Sequence, residues 1–321
     1  MKTALVTGAS GFLGRHFAHE LRSRDWIVSG VDLVQLSAES YGALDWGTPD
    51  TTGEFINTVH DAHDIFRSPI PSQSFDLVVH CAATAPHRQA IDTQPGNFMR
   101  DIALDASLFE WAVRTAQQHV LYVSSSAVYP VSLQMKDSLI GTRLFEIYAG
   151  DFSFGEPDGH YGWTKLIGER MADAARDCGV GITIVRPFSG YGTDQSENFP
   201  FRAFIERAKR RENPFTIWGS AYQVRDWIHV DDVVRGALAA YESGTTRPTN
   251  LCTGVGTTMH DLVEMICGEV PDAYLPDIVV DENAPMGVRY RVGAPDRMYE
   301  FYEPKISLLE GVQHALEGTG K

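Results

Sequence analysis

Residues 3–14 read Thr3-Ala-Leu-Val-Thr7-Gly8-Ala-Ser-Gly11-Phe-Leu-Gly14. The apolar run up to Thr7 has the length and composition of a buried strand, and the glycines follow it at once. Past them, Phe12, Leu13, Phe17, Ala18 and Leu21 recur at helical spacing, so an amphipathic helix opens inside the turn. Residues 26–31 read as a second strand, ending at Asp32. Strand, glycine turn, helix, strand and acid make one physical unit. Glycines let backbone approach a pyrophosphate, and a helix N-terminus offers unpaired N–H groups at the positive end of its dipole. Asp32 falls 18 residues after Gly14, where a carboxylate can accept from a ribose 2′-hydroxyl and repels a 2′-phosphate. The stretch predicts a dinucleotide site that favours NAD over NADP.

The alternation continues outward. Strands are expected at 75–82, 120–124 and 181–186, with helices at 98–118 and through 161–165. Residues 39–72, rich in Thr, Asp, Gly and Pro, are harder to read; the pattern gives a helix near 51–60, with Asp64-Ile65 closing a third short strand. Strands alternating with helices build an α/β fold, a doubly wound parallel sheet of Rossmann type. Ligands collect at the carboxyl ends of such strands. The glycine turn, Asp32, Ala82-Ala83, Ser124–Ser126 and Pro187–Ser189 all fall at expected carboxyl ends. After 190 the pattern loosens. Helices are expected at 200–211, from Asp231-Asp232 to 242, at 257–267 with Thr257 or Thr258 as N-cap, and at 307–316. Short strands are expected at 216–219, 225–230, 250–253 and within 271–280. This reads as a smaller, interleaved α+β lobe. The expected division is a cofactor domain over 1–188, with returning segments near 224–256, and a substrate-binding lobe from 189–223 and 257–321.

The formal net charge of −15 argues against nucleic acid and anionic membranes as partners, since both require a basic surface. It leaves room for an anionic small molecule held by a few arginines. Cys81, Cys178, Cys252 and Cys267 have no C-x-x-C spacing and read as reduced thiols. Met1-Lys2 runs directly into the first strand, and no apolar run approaches membrane-span length. The expectation is a cytoplasmic protein.

Tyr161-Gly-Trp-Thr-Lys165 places a tyrosine and a lysine four apart, on one face of a helix. A fixed ammonium beside a phenol favours the phenolate and so makes a base. The spacing alone is weak evidence; its place after a glycine turn, a ribose acid and a serine-bearing strand end gives it weight. Other groups have plainer readings. His16, His19, His60 and His63 lack a third ligand and are expected to be solvated or capping, so no metal is expected. Asp231-Asp232 reads as a helix N-cap, Lys209–Arg211 as a solvated face, Cys81 as a packed thiol, and His160 as pointing away from Tyr161.

Together these residues resemble the extended short-chain dehydrogenase/reductase family, the nucleotide-sugar epimerases and dehydratases. The resemblance is carried by Gly8-x-x-Gly11-x-x-Gly14, Asp32, His80-Cys-Ala-Ala83, Ser124-Ser-Ser-x-Val-Tyr129, Tyr161-x-x-x-Lys165, Arg186-Pro187 with Tyr191-Gly192, and Arg225-Asp-Trp-Ile-His-Val-Asp-Asp232. It implies Tyr161 as general base and acid, Lys165 as the partner that favours the phenolate and binds the nicotinamide ribose, and Ser125 as hydrogen-bond partner of the reacting sugar hydroxyl. Gly8, Gly11, Phe12, Leu13 and Gly14 would cradle the pyrophosphate, and Asp32 would hold the adenosine ribose. Asp64 and Ile65 would flank adenine, with Ala82, Ala83, Ser124 and Pro187 lining the cofactor. Ser125, Ser126 and Ser189 would face the sugar, and Arg225 and Arg289 would hold the diphosphate of a nucleotide-diphosphate sugar. The family usually forms a homodimer by pairing the helix before the serine strand with the tyrosine helix.

The resemblance also separates outcomes. Dehydratases and decarboxylases place an acid just after the Ser/Thr, and 3,5-epimerases place a cysteine two before the matched tyrosine. Here Ser126 and Ala127 stand there. The expected activity is therefore 4-epimerisation through a transient 4-keto sugar. Dehydration, decarboxylation or reduction, using a group from the 131–158 insert, is the alternative within enzymes. A non-catalytic NAD-binding regulatory protein is the alternative of another class.

Overall fold

The computed structural model describes residues 1–35, 55–68, 74–84, 96–135 and 141–318. The chain opens with β1 (Thr3–Thr7), α1 (Phe12–Ser23), β2 (Ile27–Asp32), β3 (Phe55–Val59), α2 (Ala62–Arg67), β4 (Leu77–His80) and α3 (Gly96–Arg114). It continues through β5 (His119–Val123), a short α4 (Ser132–Met135), α5 (Gly159–Asp177), β6 (Gly181–Pro187) and β7 (Ser189–Tyr191). Then come α6 (Pro200–Lys209), β8 (Phe215–Trp218), β9 (Val224–His229), α7 (Val230–Ser243), β10 (Thr249–Leu251) and β11 (Gly256–Thr258). The last elements are α8 (Met259–Glu269), β12 (Ile278–Asp281), β13 (Tyr290–Arg291), α9 (Asp296–Tyr299) and α10 (Leu308–Glu317).

Alternation along each strand feeds two cores. Ala4 and Val6 face one layer and Leu5 the other; Leu77 and Val79 are likewise opposed to Val78, and Leu121 and Val123 to Val120 and Tyr122. Both faces are apolar, so the strands must be covered on both sides, as a parallel sheet requires. The order is β10-β6-β5-β4-β1-β2-β3, with every pairing parallel. Phe17 and Leu21 of α1 pack with Val233, Val234 and Leu238 of α7 on one face. Leu108, Phe109 and Trp111 of α3 pack with Ala172 and Ala175 of α5 on the other. The chain turns outward in opposite directions from β1 and β4, so the carboxyl ends of these two strands border the crevice where ligands settle.

The second lobe has its own core, from Phe201, Phe204 and Ile205 of α6 through Leu262 and Ile266 of α8 to Val312 of α10. Its central strand β9 pairs with β7, β11 and β13, while β8 pairs with β12. Of the segments between 224 and 256, α7 packs in the core under the large sheet, β10 pairs with β6, and β9 lies in the second sheet. Thr258 caps α8, its side chain accepting from Asp261 N.

Three local expectations are corrected. The helix expected near 51–60 is β3 over Phe55–Val59, because pairing with β2 decides the conformation of an apolar segment; residues 51–54 lie outside the described residues. Asp64-Ile65 lie within α2 rather than at a strand end, and Asp61 caps that helix by accepting from His63 N. Asp231 and Asp232 do not cap α7: His229 does, its side chain accepting from Asp231 N. Asp232 is fully buried and accepts instead from Tyr302 Oη, Lys305 N and Ile306 N at 2.6–2.9 Å.

Candidate active site

The glycine turn is shaped by close approach. Gly8 has φ +69°, and a Cβ there would lie 2.8 Å from Ala82 N; a Cβ at Gly14 would lie 2.0 Å from the Gly8 carbonyl. Gly11 is the N-cap of α1 and places no side chain over the first N–H groups. The cradle is therefore bare backbone at a helix N-terminus, which suits a pyrophosphate. From it runs a cleft of about 590 Å³, lined by Gly8, Gly11, Phe12, Leu13, Gly14 and Asp32 on one side. Asp32 accepts from Ser10 N at 2.9 Å and Val34 N at 3.1 Å, so its carboxylate is held in place at the end of β2. His60, Asp61, Ala62 and His63 close that end of the cleft; the expected Asp64 and Ile65 follow on α2 and do not line it. The shift follows from β3 ending at Val59, ahead of the expected Asp64-Ile65, which brings the β3–α2 turn to the rim.

At the other end the cleft meets Ala82, Ala83, Ser124, Ser125, Tyr161, Lys165 and Pro187. Tyr161 and Lys165 lie on α5, one turn apart. A Cβ at Gly162 would lie 2.3 Å from the Ala127 carbonyl, so the glycine lets the helix press against the short turn 126–128 after β5. Lys165 is buried and its Nζ donates to the Val123 carbonyl at 3.0 Å, 5.1 Å from the centre of the Tyr122 ring. Burial opposes its charge, but Tyr161, Asp105, Asp101 and Cys81 outweigh that and hold its pKa above the ordinary value. Ser125 Oγ accepts from Ala127 N at 3.1 Å, which leaves its own proton free to donate into the cleft. Cys81 also lines the cleft, where burial pushes its thiol up to about 12 despite Lys165.

Two buried networks stiffen this end. Thr7 Oγ1 donates or accepts at 2.8 Å with His80 Nδ1, His80 Nε2 meets Asp105 at 3.0 Å, and Tyr122 Oη donates to Asp105 at 2.5 Å. Ala82 N donates to Thr7 Oγ1 at 3.2 Å, so the network reaches the cleft wall. On the other side Ser124 Oγ donates to Glu169 at 2.6 Å, and Glu169 takes two bonds from Arg186 at 2.8 and 2.6 Å. Arg186 also donates to Tyr129 Oη and the Glu146 carbonyl, which ties the insert to β6.

The remaining expected substrate residues sit apart. Ser126 and Ala127 are buried and do not line the cleft, and Ser189 is half-buried in β7. Arg225 of β9 donates to the Val224 carbonyl and to Gln223, and the carbonyl of Arg289, just before β13, accepts from Val224 N; both lie outside the cleft lining. Their neighbour Arg291 reaches the first domain, donating to Gln134 at 2.6 Å and to Asp158, the N-cap of α5, at 2.7 Å.

Sequence reasoning missed Gln195 and Phe199, which line the cleft beside Phe188 and Gly190. They arrive on the loop after Tyr191-Gly192, and that loop is closed by contacts distant in sequence. Arg15 donates to the Asp194 carboxylate and carbonyl, both at 2.6 Å, while His16 meets Asp194 at 3.1 Å and Asp231 at 3.4 Å. His16 is thus buried and paired with two carboxylates, contrary to the solvated or capping role expected for it. Only the adjacency of these residues to Tyr191-Gly192 could have signalled them.

Comparison with known proteins agrees with the geometry. The family model described as the NAD dependent epimerase/dehydratase family matches residues 4–252. A dTDP-4-dehydro-6-deoxy-D-allose reductase of Streptomyces bikiniensis is 28% identical, over 95% of this chain and 92% of the relative. A GDP-mannose 3,5-epimerase of Oryza sativa subsp. indica is 25% identical, over 89% of this chain and 72% of the relative. Among solved structures, a UDP-glucose 4-epimerase of Thermotoga maritima with UDP-glucose is similar at TM-score 0.81 and 25% identity, covering 98% of each chain. A bare glycine cradle, a carboxylate at the end of β2 and a tyrosine–lysine pair on one cleft, matched by this family model over most of the chain, make the protein a member of the NAD-dependent epimerase/dehydratase family.

Proposed function

We propose that the chain is a nucleotide-sugar 4-epimerase working through a transient 4-keto sugar. The residues around the cleft fit NAD, the cofactor of its family: Gly8, Gly11, Phe12, Leu13 and Gly14 would hold the pyrophosphate, Asp32 the adenosine ribose, and Ala82 and Ala83 the cofactor's flank. When bound, NAD supplies a hydride acceptor at the sugar carbon and then a donor. The chain supplies the proton chemistry. Tyr161 takes the proton of the sugar hydroxyl as the carbon is oxidised and returns it as the ketone is reduced. Lys165, held by the Val123 carbonyl, keeps a positive charge beside the phenolate. Ser125 donates to the sugar oxygen and steadies the charge that gathers there. Arg225 and Arg289 would meet the diphosphate.

The observation that carries this reading is the pair Ser126 and Ala127. Neither side chain is an acid or a base, and both are buried away from the cleft. The Cys81 thiol is held too far up to serve as a base near neutral pH. With no second proton-transfer group after Ser125, the ketone has one simple fate: it turns, and the hydride returns to its other face. A second reading, reduction of a 4-keto sugar, is favoured by the similarity to the Streptomyces bikiniensis reductase over nearly the whole chain. It would use Tyr161 as acid only.

A screen of nucleotide sugars in deuterated water, read by NMR, separates these. Epimerisation gives the 4-epimer with no deuterium on carbon and no net use of cofactor. Label at carbon 5 would reject the proposal, and stoichiometric consumption of NADH on a keto sugar would select the reductase. The same reading includes a homodimer through α3 and α5, supported by Met99 at 67% and Val113 at 37% exposure on α3. It also places the enzyme in the cytoplasm, in keeping with four free thiols. Among the described residues no helix is long and apolar enough to cross a membrane.

A further inference from the structure

Gln195 is a buried amide in the cleft wall with one half satisfied. Its side chain is 8% exposed, and Nε2 donates to the Gly190 carbonyl at 2.9 Å. That bond fixes which way the amide faces, since the reverse orientation would set two carbonyl oxygens against each other. Oε1 is then buried and has no partner among the described residues. A buried acceptor left unpaired is costly, and native proteins seldom tolerate one without a reason. The loop has little freedom to turn it away, because the neighbouring Asp194 is gripped by Arg15 and His16 of α1.

The position tells which donor it waits for. Gln195 lines the cleft with Pro187, Phe188 and Gly190, at the end of β6. That is the end bearing Ser125, Tyr161 and Lys165; Asp32 and His60 lie at the other, beyond β1. An NAD molecule with its adenosine at Asp32 therefore brings its nicotinamide half to Gln195. A pyrophosphate has no proton to give at neutral pH. The hydroxyls of the nicotinamide ribose are expected at Lys165, and the reacting sugar hydroxyl is proposed to meet Tyr161 and Ser125. The carboxamide N–H of the nicotinamide remains.

We propose that Gln195 is a cofactor-binding residue whose Oε1 accepts from the nicotinamide carboxamide N–H and so fixes which face of the ring is turned to the sugar. This rests on the proposed direction of NAD in the cleft. The test uses 3-acetylpyridine adenine dinucleotide, in which a methyl ketone replaces the carboxamide and the N–H donors are gone. Each dinucleotide competes with NADH bound to the full chain, read by NADH fluorescence. The native protein should hold NAD about tenfold more tightly than the analogue, the size of one hydrogen bond. Gln195→Leu should weaken NAD by a similar factor and bring the ratio of the two dinucleotides close to one. Equal affinity of the native protein for both would overturn the proposal without any variant. A ratio that survives in Gln195→Leu would overturn it too, leaving Oε1 to a water. Failure of NADH to bind the full chain at all would instead reject the cofactor reading on which the proposal stands.

Discussion

At the scale of single residues, the proposed chemistry rests on one hydroxyl. Tyr161→Phe removes the proton carrier and keeps the ring. We expect turnover to fall by roughly 10²–10⁴-fold, the usual worth of general acid–base catalysis, while NADH fluorescence reports unchanged cofactor binding. Turnover near the native rate would reject the mechanism. Tyr161 and Lys165 were legible because a helix makes four-residue spacing a spatial fact. Ser125 was legible because strand ends converge on a crevice. Gln195 and His16 were not: Gln195 sits on a loop whose neighbour Asp194 is held by the distant Arg15, and His16 is held by the distant Asp194 and Asp231. No local pattern encodes such a contact.

At the scale of elements, the helix that carries Tyr161 and Lys165 begins where the second lobe grips it. Asp158 caps α5 by its backbone position, yet its carboxylate is turned to Arg291 of β13, with both side chains 13% exposed. Arg291 pairs in register with Arg225, the residue proposed to meet the diphosphate. We therefore expect a coupling between β9, where the diphosphate is proposed to bind, and the start of α5. Arg291→Met removes a largely buried ion pair of Asp158 and should cost about 1–3 kcal/mol of stability. The activity effect is more telling: kcat should drop about tenfold with NAD affinity unchanged, since misplacing a catalytic group by a fraction of an ångström costs rate before binding. Arg291→Lys should rescue little, because an ammonium cannot make both the Gln134 and Asp158 contacts in one plane. A change in NAD affinity alone would point away from this coupling. The expected helix near 51–60 failed at this same scale. Its apolar residues suited either conformation, and the neighbouring edge of β2 decided between them.

At the scale of the whole molecule, α1, the cleft loop and α7 meet at His16, and this junction titrates. Burial opposes the charge on His16, but hydrogen bonds and attraction to Asp194 and Asp231 outweigh it and raise its pKa above 6.5. Burial would raise Asp194, yet His16 and Arg15 hold it down to about 2. A raised folded pKa gives stability that is full below the unfolded value and is lost as pH climbs through the folded one; a depressed carboxylate gives stability that is lost as pH falls. The His16 contribution should thus fade above pH 6.5, and that of Asp194 should fade as pH drops from 3.8 towards 2. Thermal melting of the native chain should decline more steeply than that of His16→Gln between about pH 6 and pH 9. Parallel declines would remove His16 as the titrating group. The parallel sheet and its two covers were readable from the alternation of apolar strands with helices, because such strands need a helix layer on each face. The way the lobes interlock was not, since β10 reaches the sheet only after the chain has already built part of the second lobe.

The carboxylate of Asp232, with no exposed surface, is held by donors from Tyr302, Lys305 and Ile306. It makes the tail a fastener, and that bears on how the protein can be handled. An affinity tag joined beyond Gly318 leaves all three donors in place. A chain cut before Tyr302 strips every one of them from a charge that water cannot reach, and would be recovered as aggregate.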